Sequence, residues 1–169
     1  MRKKFGNHEG TWEENNRSVE WMTPPQIIKS LGDFDLDPCA SEECQWKTAD
    51  RQYTIDDDGL TQKWEGRVWL NPPYGKETEK WLKKMKEHNN GIVLIFARTE
   101  TKMYFDHVWE NANGIRFLKR RIKFLKPNGT IIGSSGAPSV LISYDNTEEK
   151  QNYNSLINCD LEGKFLPIT

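Results

Sequence analysis

Residues 67–74 read RVWLNPPY, and this stretch decides the fold. Its first half is a short apolar run with branched and aromatic side chains, which is typical of a strand. Its second half ends that strand, because the residue before a proline avoids the helical region and a proline donates no ladder hydrogen bond. The stretch therefore predicts a strand over 67–70 whose carboxyl end presents Asn71, Pro72, Pro73 and Tyr74.

On both sides of this stretch, strand-like and helix-like segments alternate, which indicates an α/β fold. Thr23, Pro24 and Pro25 predict a helix start with Thr23 at the cap, and Gly32 predicts its end. The other expected strands are 34–38, 91–96, 115–118, 121–124 and, as the final one, 138–144, with helices at 77–87 and 102–110. We expect a mostly parallel, doubly wound sheet in a single domain over 16–169, preceded by a flexible arm at 1–15.

Ligands of such sheets bind outside the carboxyl ends of the strands. Two polar segments follow predicted strands at this edge, Asp37-Pro38-Cys39 and the segment from Asn71 to Tyr74. The sequence therefore places its candidate functional residues on neighbouring loops at one edge of the sheet.

Composition restricts the class of protein. The 169 residues carry a formal net charge of -1 and include seven Trp, seven Phe and five Tyr, enough large side chains for one core. No apolar run approaches the roughly 18 residues of a membrane helix. The N-terminal residues lack the apolar centre of a signal peptide, so we expect a cytosolic protein without membrane attachment. Three cysteines predict no disulfide framework, and their spacing to the histidines predicts no metal site.

The charge is distributed unevenly along the chain. Residues 33–58 contain nine carboxylates and two cations, whereas residues 111–144 contain six cations and no carboxylate. The basic half is suited to face a polyanion. A basic stretch in sequence need not form a patch in space, however, so solvation of loops and strand edges is an equal alternative.

Asn71 and the residues after it point to one kind of chemistry. The exocyclic amine of a base, or an amide, is a poor nucleophile because its lone pair is delocalised into the neighbouring π system. Two acceptors for its N–H groups favour a pyramidal nitrogen and stabilise the positive charge that develops during attack. The Asn71 side-chain oxygen and the Pro72 carbonyl can serve, and Tyr74 offers a flat face for an extruded base. The alternative is an ordinary proline-rich strand exit with Tyr74 as packing.

Six segments in one order resemble a known family. They are WMTPP at 21–25, FDLDPCA at 34–40, DDGL at 57–60 followed by Trp64, LNPPY at 70–74, ART at 97–99 and RIKF at 121–124. The pattern resembles the phage-type, Dam-like DNA N6-adenine methyltransferases, which use S-adenosylmethionine. The resemblance implies a compact, Rossmann-like class I methyltransferase fold without a separate target-recognition domain, with adenine in double-stranded DNA as substrate.

The resemblance also implies roles for particular residues. Asn71, Pro72, Pro73 and Tyr74 match the catalytic motif. The residues that match cofactor-binding segments are Thr23, Pro24, Asp37, Pro38, Cys39, Ala40 and Asp58. Asp35 and Asp57 join them on chemical grounds, because S-adenosylmethionine presents an ammonium, a ribose diol and an adenine amine, which carboxylates accept well. A nicotinamide cofactor is disfavoured, since no G-x-G-x-x-G follows a strand.

DNA contact is expected mainly from the basic half. The residues assigned to it are Arg98, Lys119, Arg120, Arg121 and Lys123. Loops at 76–78 and 127–137, or a second subunit, would read the target sequence, although a plain hairpin connection is the favoured interpretation of the second loop. The oligomeric state is left open, with a dimer as one option.

Two other functions stay in view. The same four-residue motif activates a protein glutamine amide or an RNA base amine, because those nitrogens are planar too. The other alternative is a methyltransferase-like fold that binds DNA without catalysis. Direct attack of the amine on a sulfonium methyl needs no covalent enzyme intermediate, so Cys39 is expected to be a small loop residue rather than a nucleophile.

Overall fold

A computed structural model describes residues 21–168 of the chain. The predicted arm at 1–15 lies outside these residues. The helices are α1 (Pro25–Leu31), α2 (Thr78–His88), α3 (Lys102–Tyr104), which continues into a π-helical turn (Phe105–Trp109), and α4 (Gln151–Asn158). The strands are β1 (Leu36–Asp37), β2 (Arg51–Gln52), β3 (Val68–Leu70), β4 (Gly91–Phe96), β5 (Gly114–Leu118), β6 (Lys123–Leu125), β7 (Ile131–Ser134), β8 (Ser139–Tyr144) and β9 (Gly163–Pro167).

Seven strands form one sheet in the order β2-β1-β3-β4-β8-β5-β9, and β6 and β7 form a separate hairpin. β2, β1, β3 and β4 pair in parallel. β8 runs antiparallel to both β4 and β5, and β9 runs antiparallel to β5. Most strands of this sheet thus share one direction, as predicted, but β8 and β9 run in reverse and make the sheet a mixed one.

Alternating side chains of the central strands divide the core into two layers. Val93 and Ile95 of β4 face one side of the sheet, where they pack with α2, α3 and the π-helical turn. Ile92 and Leu94 face the other side, where they pack with α1, α4 and the β6–β7 hairpin. Helices therefore cover both faces of the sheet.

Some predicted elements need correction. The expectation that Thr23 caps the first helix is wrong, because α1 begins at Pro25 with Pro24 in the cap position. The strand at 138–144 is not the final one, since β9 follows it. The sequence pattern also misses α4, whose first turn is held from outside the helix: the Asp145 carboxylate accepts main-chain hydrogen bonds from Asn152 and Tyr153, both at 2.8 Å.

The carboxyl ends of β1, β3, β4 and β5 meet at one edge of the sheet, which we call the carboxyl edge. The reversed strand β8 starts there, with Ser139 paired opposite Phe96. The β6–β7 hairpin leaves β5 and returns to β8 at the same edge. No helix in the described part of the chain is long and apolar enough to cross a membrane.

Candidate active site

Asn71 is the first residue after β3, and its side-chain amide is held at one end only. Its Nδ2 donates to the main-chain oxygen of Trp21 at 3.3 Å. Its Oδ1 is buried and has no hydrogen-bond partner among residues 21–168. A buried acceptor without a partner is uncommon, because it costs about 1–3 kcal/mol. The contact with Trp21 therefore orients the amide so that its oxygen is left for a donor that comes from outside.

The two prolines join Asn71 to the following helix. Pro72 is buried, and the carbonyl of Pro73 accepts a hydrogen bond of 2.7 Å from the hydroxyl of Thr78, the first residue of α2. Because proline has a fixed φ and no N–H, this connection has few conformations available. The loop therefore holds Asn71 and Tyr74 in a defined relation to β3 and α2.

Tyr74 packs inside a cluster of aromatic rings. Its ring stacks on that of Phe96 with centroids 4.0 Å apart and planes inclined by 10°. Phe124 of β6 meets the same ring edge-on at 6.4 Å. The Tyr74 hydroxyl is buried and finds no partner among the described residues, and burial raises the pKa of the phenol well above its ordinary value. The side chain is therefore a neutral, fixed aromatic platform.

The segment before α1 runs alongside this cluster. Met22 and Leu125 exchange two main-chain hydrogen bonds of 2.8 and 3.0 Å, and the Trp21 ring lies 5.3 Å from that of Phe124. Thr23 is buried, and its hydroxyl has no partner in the described part of the chain. The structure thus brings Thr23 and Pro24 to the carboxyl edge with Asn71, and their cofactor role stays a prediction.

Asp37 ends β1 and organises the loop after it. One carboxylate oxygen accepts from the main-chain N–H of Cys39 at 2.9 Å, and the other bonds the hydroxyl of Thr48. Burial raises the pKa of the Asp37 carboxyl from 3.8 to about 6, although both hydrogen bonds act to lower it. Ala40 continues the loop and donates its N–H to the Tyr53 carbonyl at 2.9 Å. The buried Asp37 carboxylate therefore holds the conformation of the loop of Pro38, Cys39 and Ala40.

The turn that carries Asp57 and Asp58 lies against this loop. A Cβ atom on Gly59 would come within 1.9 Å of the Pro38 carbonyl oxygen, so the two segments touch main chain to main chain. Both aspartates are exposed, and Asp57 accepts a hydrogen bond of 2.8 Å from the Thr54 N–H. The structure brings these two predicted residues close to the loop of Asp37.

Asp35 lies apart from the other predicted cofactor residues. Its carboxylate accepts a hydrogen bond of 2.6 Å from the main-chain N–H of Arg67, at the start of β3. The sequence pattern predicts that Asp35 and Asp37 point to the same side of their strand. In the structure, Asp35 precedes the two-residue β1 and lies toward the amino ends of the strands. The structure therefore does not bring it to the carboxyl edge.

The predicted DNA-binding residues follow strands that end at the carboxyl edge. Arg98 is exposed two residues after β4, and Lys123 is exposed on β6. Lys119 and Arg120 follow β5 and approach the Glu162 carboxylate at 3.1 and 3.9 Å. Arg121 donates to the Ser135 carbonyl at 2.9 Å. All five thus lie at the edge that carries Asn71.

One cation of the basic half has a different role. The guanidinium of Arg116 on β5 donates to the main-chain carbonyls of Leu156 and Leu161, which ties β5 to α4 and the turn after it. The charge counted along residues 111–144 therefore overstates the charge that is available at the carboxyl edge.

Sequence reasoning misses two residues of the site. The Trp21 carbonyl orients Asn71, but a main-chain atom leaves no signal in the sequence. Phe96 stacks on Tyr74, and its position as the last residue of the predicted strand 91–96 is the signal that could have found it.

Glu79, Asp106 and His107 form the one group of possible metal ligands in the described residues, with ligand atoms within 4.8 Å of one another. The Lys102 ammonium bonds the Asp106 carboxylate there, as a metal cation would. The Glu79 carboxylate lies 3.5 Å from Nε2 of the buried His107.

Comparison with known proteins agrees with the motifs at this edge. The model of the family described as DNA N-6-adenine-methyltransferase (Dam) matches residues 11–161. A DNA N-6-adenine-methyltransferase of Escherichia phage T1 is 33% identical over 109 residues, 59% of this chain and 44% of the relative, so the match covers less than half of that protein. No solved structure matches the chain. Because the family match covers most of the sequence, the chain belongs to the DNA N-6-adenine-methyltransferase (Dam) family.

Proposed function

We propose that the chain transfers a methyl group from S-adenosylmethionine to the N6 amine of adenine in double-stranded DNA. The observation that carries the proposal is the buried Asn71 Oδ1, which has no hydrogen-bond partner in residues 21–168 and lies at the carboxyl end of a central strand. Family membership supports adenine N6 as the acceptor. The strand order supports a Rossmann-like class I methyltransferase fold, with a parallel half and two reversed strands, β8 and β9, in the other half.

Asn71 and Pro72 are proposed to act directly on the amine. Each accepts one N–H of adenine N6, through the Asn71 side-chain oxygen and the Pro72 carbonyl. As the nitrogen attacks, its N–H groups become more acidic and these hydrogen bonds strengthen, so the two acceptors stabilise the transition state more than the ground state. Pro73 keeps the loop rigid. The proton leaves after transfer, and no covalent bond to the enzyme forms.

Tyr74 is proposed to receive the base once it leaves the duplex. Its ring is neutral, and two other rings already fix its position. Binding of the base therefore costs the Tyr74 side chain little additional conformational entropy. Stacking of a base on an aromatic ring contributes about 1–3 kcal/mol. The ring therefore supplies binding and orientation, and no proton transfer.

The residues at the edge fit S-adenosylmethionine, which when bound supplies an electrophilic sulfonium methyl. Thr23 contributes a buried hydroxyl that has no partner in the described chain, and Asp57 and Asp58 contribute exposed carboxylates beside the loop of Asp37. These acceptors suit the ammonium, ribose and amine donors of the cofactor. The cofactor would lie against the loop after β1, which consists of Asp37, Pro38, Cys39 and Ala40. We do not extend this role to Asp35, whose carboxylate bonds the Arg67 main chain.

Double-stranded DNA is the proposed partner of the carboxyl edge. Arg98, Arg121 and Lys123 would contact phosphates or guanine edges, and Lys119 and Arg120 would contribute when their contact with Glu162 is exchanged for phosphate. A cytoplasmic site of action in a bacterial host cell, and a phage or prophage origin of the chain, are part of the proposal, and the similarity to a phage protein supports them.

The test of the proposed function is transfer of labelled methyl from S-adenosylmethionine to unmethylated duplex DNA, followed by nucleoside analysis. We expect the label in N6-methyladenine. RNA and a protein extract serve as alternative acceptors in parallel reactions. Label in RNA or in glutamine amides, with none in DNA, would replace the substrate class. Binding of DNA without any binding of S-adenosylmethionine would favour the non-catalytic alternative.

A further inference from the structure

Phe96 is the last residue of β4 and covers one face of the ring on which the base is proposed to stack. The two rings are almost parallel, inclined by 10°, with centroids 4.0 Å apart. This geometry is a stacked contact of two side chains that lie 22 positions apart in the chain. An extruded base cannot use the face of Tyr74 that Phe96 occupies.

Phe96 is anchored more firmly than Tyr74. β4 lies between two neighbouring strands, Phe96 is paired across the ladder with Ser139, and its carbonyl accepts the Arg98 N–H at 2.9 Å. Tyr74 lies on a loop and is followed by the exposed Gly75. The Phe96 ring, which is fixed on the sheet, therefore supports the Tyr74 ring on the loop and restricts the orientation of its plane.

The remaining surface of Tyr74 indicates where the base can stack. The residue is half-buried although its hydroxyl oxygen is buried, so the exposed area belongs to the rest of the residue. Phe124 approaches at 76°, which is an edge contact rather than a second stack. Phe96 is thus the one aromatic ring in the described chain that stacks on Tyr74.

We propose that Phe96 is a positioning residue for methyl transfer: it backs the Tyr74 ring and fixes its plane, so that the extruded adenine stacks on the opposite face. This inference rests on the proposed function. Phe96 does not touch the reacting atoms and acts through Tyr74 alone. Loss of its ring therefore weakens the use of DNA while the use of S-adenosylmethionine stays unchanged.

The test compares Phe96→Leu, Phe96→Tyr and the control Phe165→Leu in the full chain. Phe165 is also a half-buried strand residue with an aromatic neighbour, Tyr153, but it lies on β9 at the far side of the sheet. Steady-state methylation of unmethylated duplex DNA gives kcat and KM for DNA and for S-adenosylmethionine. Thermal unfolding reports whether each variant folds.

We expect Phe96→Leu to lower kcat/KM for DNA roughly tenfold, the order of one aromatic contact, with KM for S-adenosylmethionine unchanged. Phe96→Tyr, which keeps the ring, should restore the wild-type value, and Phe165→Leu should leave it intact. Equal or higher DNA efficiency in Phe96→Leu would overturn the proposal. A higher kcat/KM for DNA would indicate instead that Phe96 occupies the position in which the base stacks, so that its ring must move before the base can bind.

A second measurement reads the stack without any turnover. Ring-labelled tyrosine NMR of the wild type, with Tyr74 assigned through Tyr74→Phe, should give a ring-current shift for Tyr74 that disappears in Phe96→Leu. An unchanged Tyr74 signal would overturn the proposal. A wild type that methylates no DNA but gives this shift would contradict the proposed function while the ring contact stands, so the two failures are distinguishable.

Discussion

At the scale of single residues, the role proposed for Asn71 rests on an asymmetric environment. Its Nδ2 is bonded to a main-chain carbonyl, whereas its buried Oδ1 has no partner within residues 21–168. The free energy of that unsatisfied acceptor is recovered when an N–H donor arrives. The amide is therefore preorganised for an amine, which is the arrangement that electrostatic stabilisation of a transition state requires.

Tyr74 gives a prediction about its hydroxyl. Because that hydroxyl is buried and has no partner in the described chain, its removal leaves no donor or acceptor unpaired. We expect Tyr74→Phe to keep turnover within about twofold of wild type and to unfold at an equal or higher temperature, because the stacking contribution remains. Tyr74→Ala, in contrast, should weaken DNA use strongly. A severe loss of activity in the Phe variant would assign the hydroxyl a direct role.

Asp37 gives a prediction about pH. The pKa of its carboxyl is about 6 in the folded protein and 3.8 ordinarily, so the folded state holds this proton more tightly than the unfolded chain. The stability that this proton contributes is full below about pH 4 and is lost as pH rises through about 6, a total of about 3 kcal/mol.

Asp37→Asn removes this titration and tests it. Denaturant unfolding between pH 4 and pH 7.5 should show the variant gaining on the wild type as pH rises, chiefly between pH 4 and pH 6. A constant difference between the two proteins over this range would contradict the raised pKa. The altered hydrogen bond to Thr48 adds a further difference in stability that does not change with pH.

At the scale of elements, the acidic turn after residue 54 must touch the loop after β1 for the proposed cofactor residues to come together. Gly59 permits this contact, because any Cβ there would lie 1.9 Å from the Pro38 carbonyl oxygen. We expect Gly59→Ala to separate the two segments and to weaken S-adenosylmethionine binding at least tenfold, about 1.4 kcal/mol, measured by calorimetry.

Gly136→Ala is the matched control for that experiment. Gly136 is also a loop glycine, and a Cβ there meets no atom within 4 Å. Wild-type cofactor binding is expected in this variant. If Gly59→Ala bound the cofactor as well as Gly136→Ala does, the turn of Asp57 and Asp58 would have no part in the site.

The elements also show what a sequence can predict. The strand over 91–96 is confirmed with the expected bounds, because six apolar residues in a row have no alternative to burial. β2 is missed because two residues carry no periodicity. α4 is missed because its polar first turn depends on Asp145, which becomes its cap only through the tertiary fold.

The site divides in the same way. Residues 71–74 are a contiguous motif, so the chemistry proposed for them can be predicted from the sequence. Phe96 and the Trp21 carbonyl reach the motif through the fold. The end of the predicted strand 91–96 is a signal for Phe96, whereas a main-chain carbonyl leaves no signal. The sequence predicts Asp35 as a cofactor residue, but in the structure its carboxylate accepts a hydrogen bond from the Arg67 main chain instead.

At the scale of the whole molecule, the distribution of cations predicts the salt dependence of DNA binding. Lys123 is exposed at the carboxyl edge, and Lys29 is exposed on α1. Each lost phosphate contact should reduce the slope of log affinity against log salt by about 0.9. Lys123→Gln is expected to show that reduction in titrations of labelled duplex, and Lys29→Gln is expected to keep the wild-type slope. Equal salt-dependence slopes in the wild type and both variants would show that Lys123 on the β6–β7 hairpin makes no phosphate contact.

The central claim is that the Asn71 amide, at the end of β3, performs methyl transfer to DNA. The most direct measurement is single-turnover methylation of unmethylated duplex DNA by Asn71→Ala, with Asn158→Ala, an exposed asparagine at the end of α4, as control. We predict a rate about 100-fold to 1000-fold lower in Asn71→Ala, unchanged S-adenosylmethionine binding, and wild-type behaviour in Asn158→Ala. A wild-type rate of N6-methyladenine formation in Asn71→Ala would contradict the account.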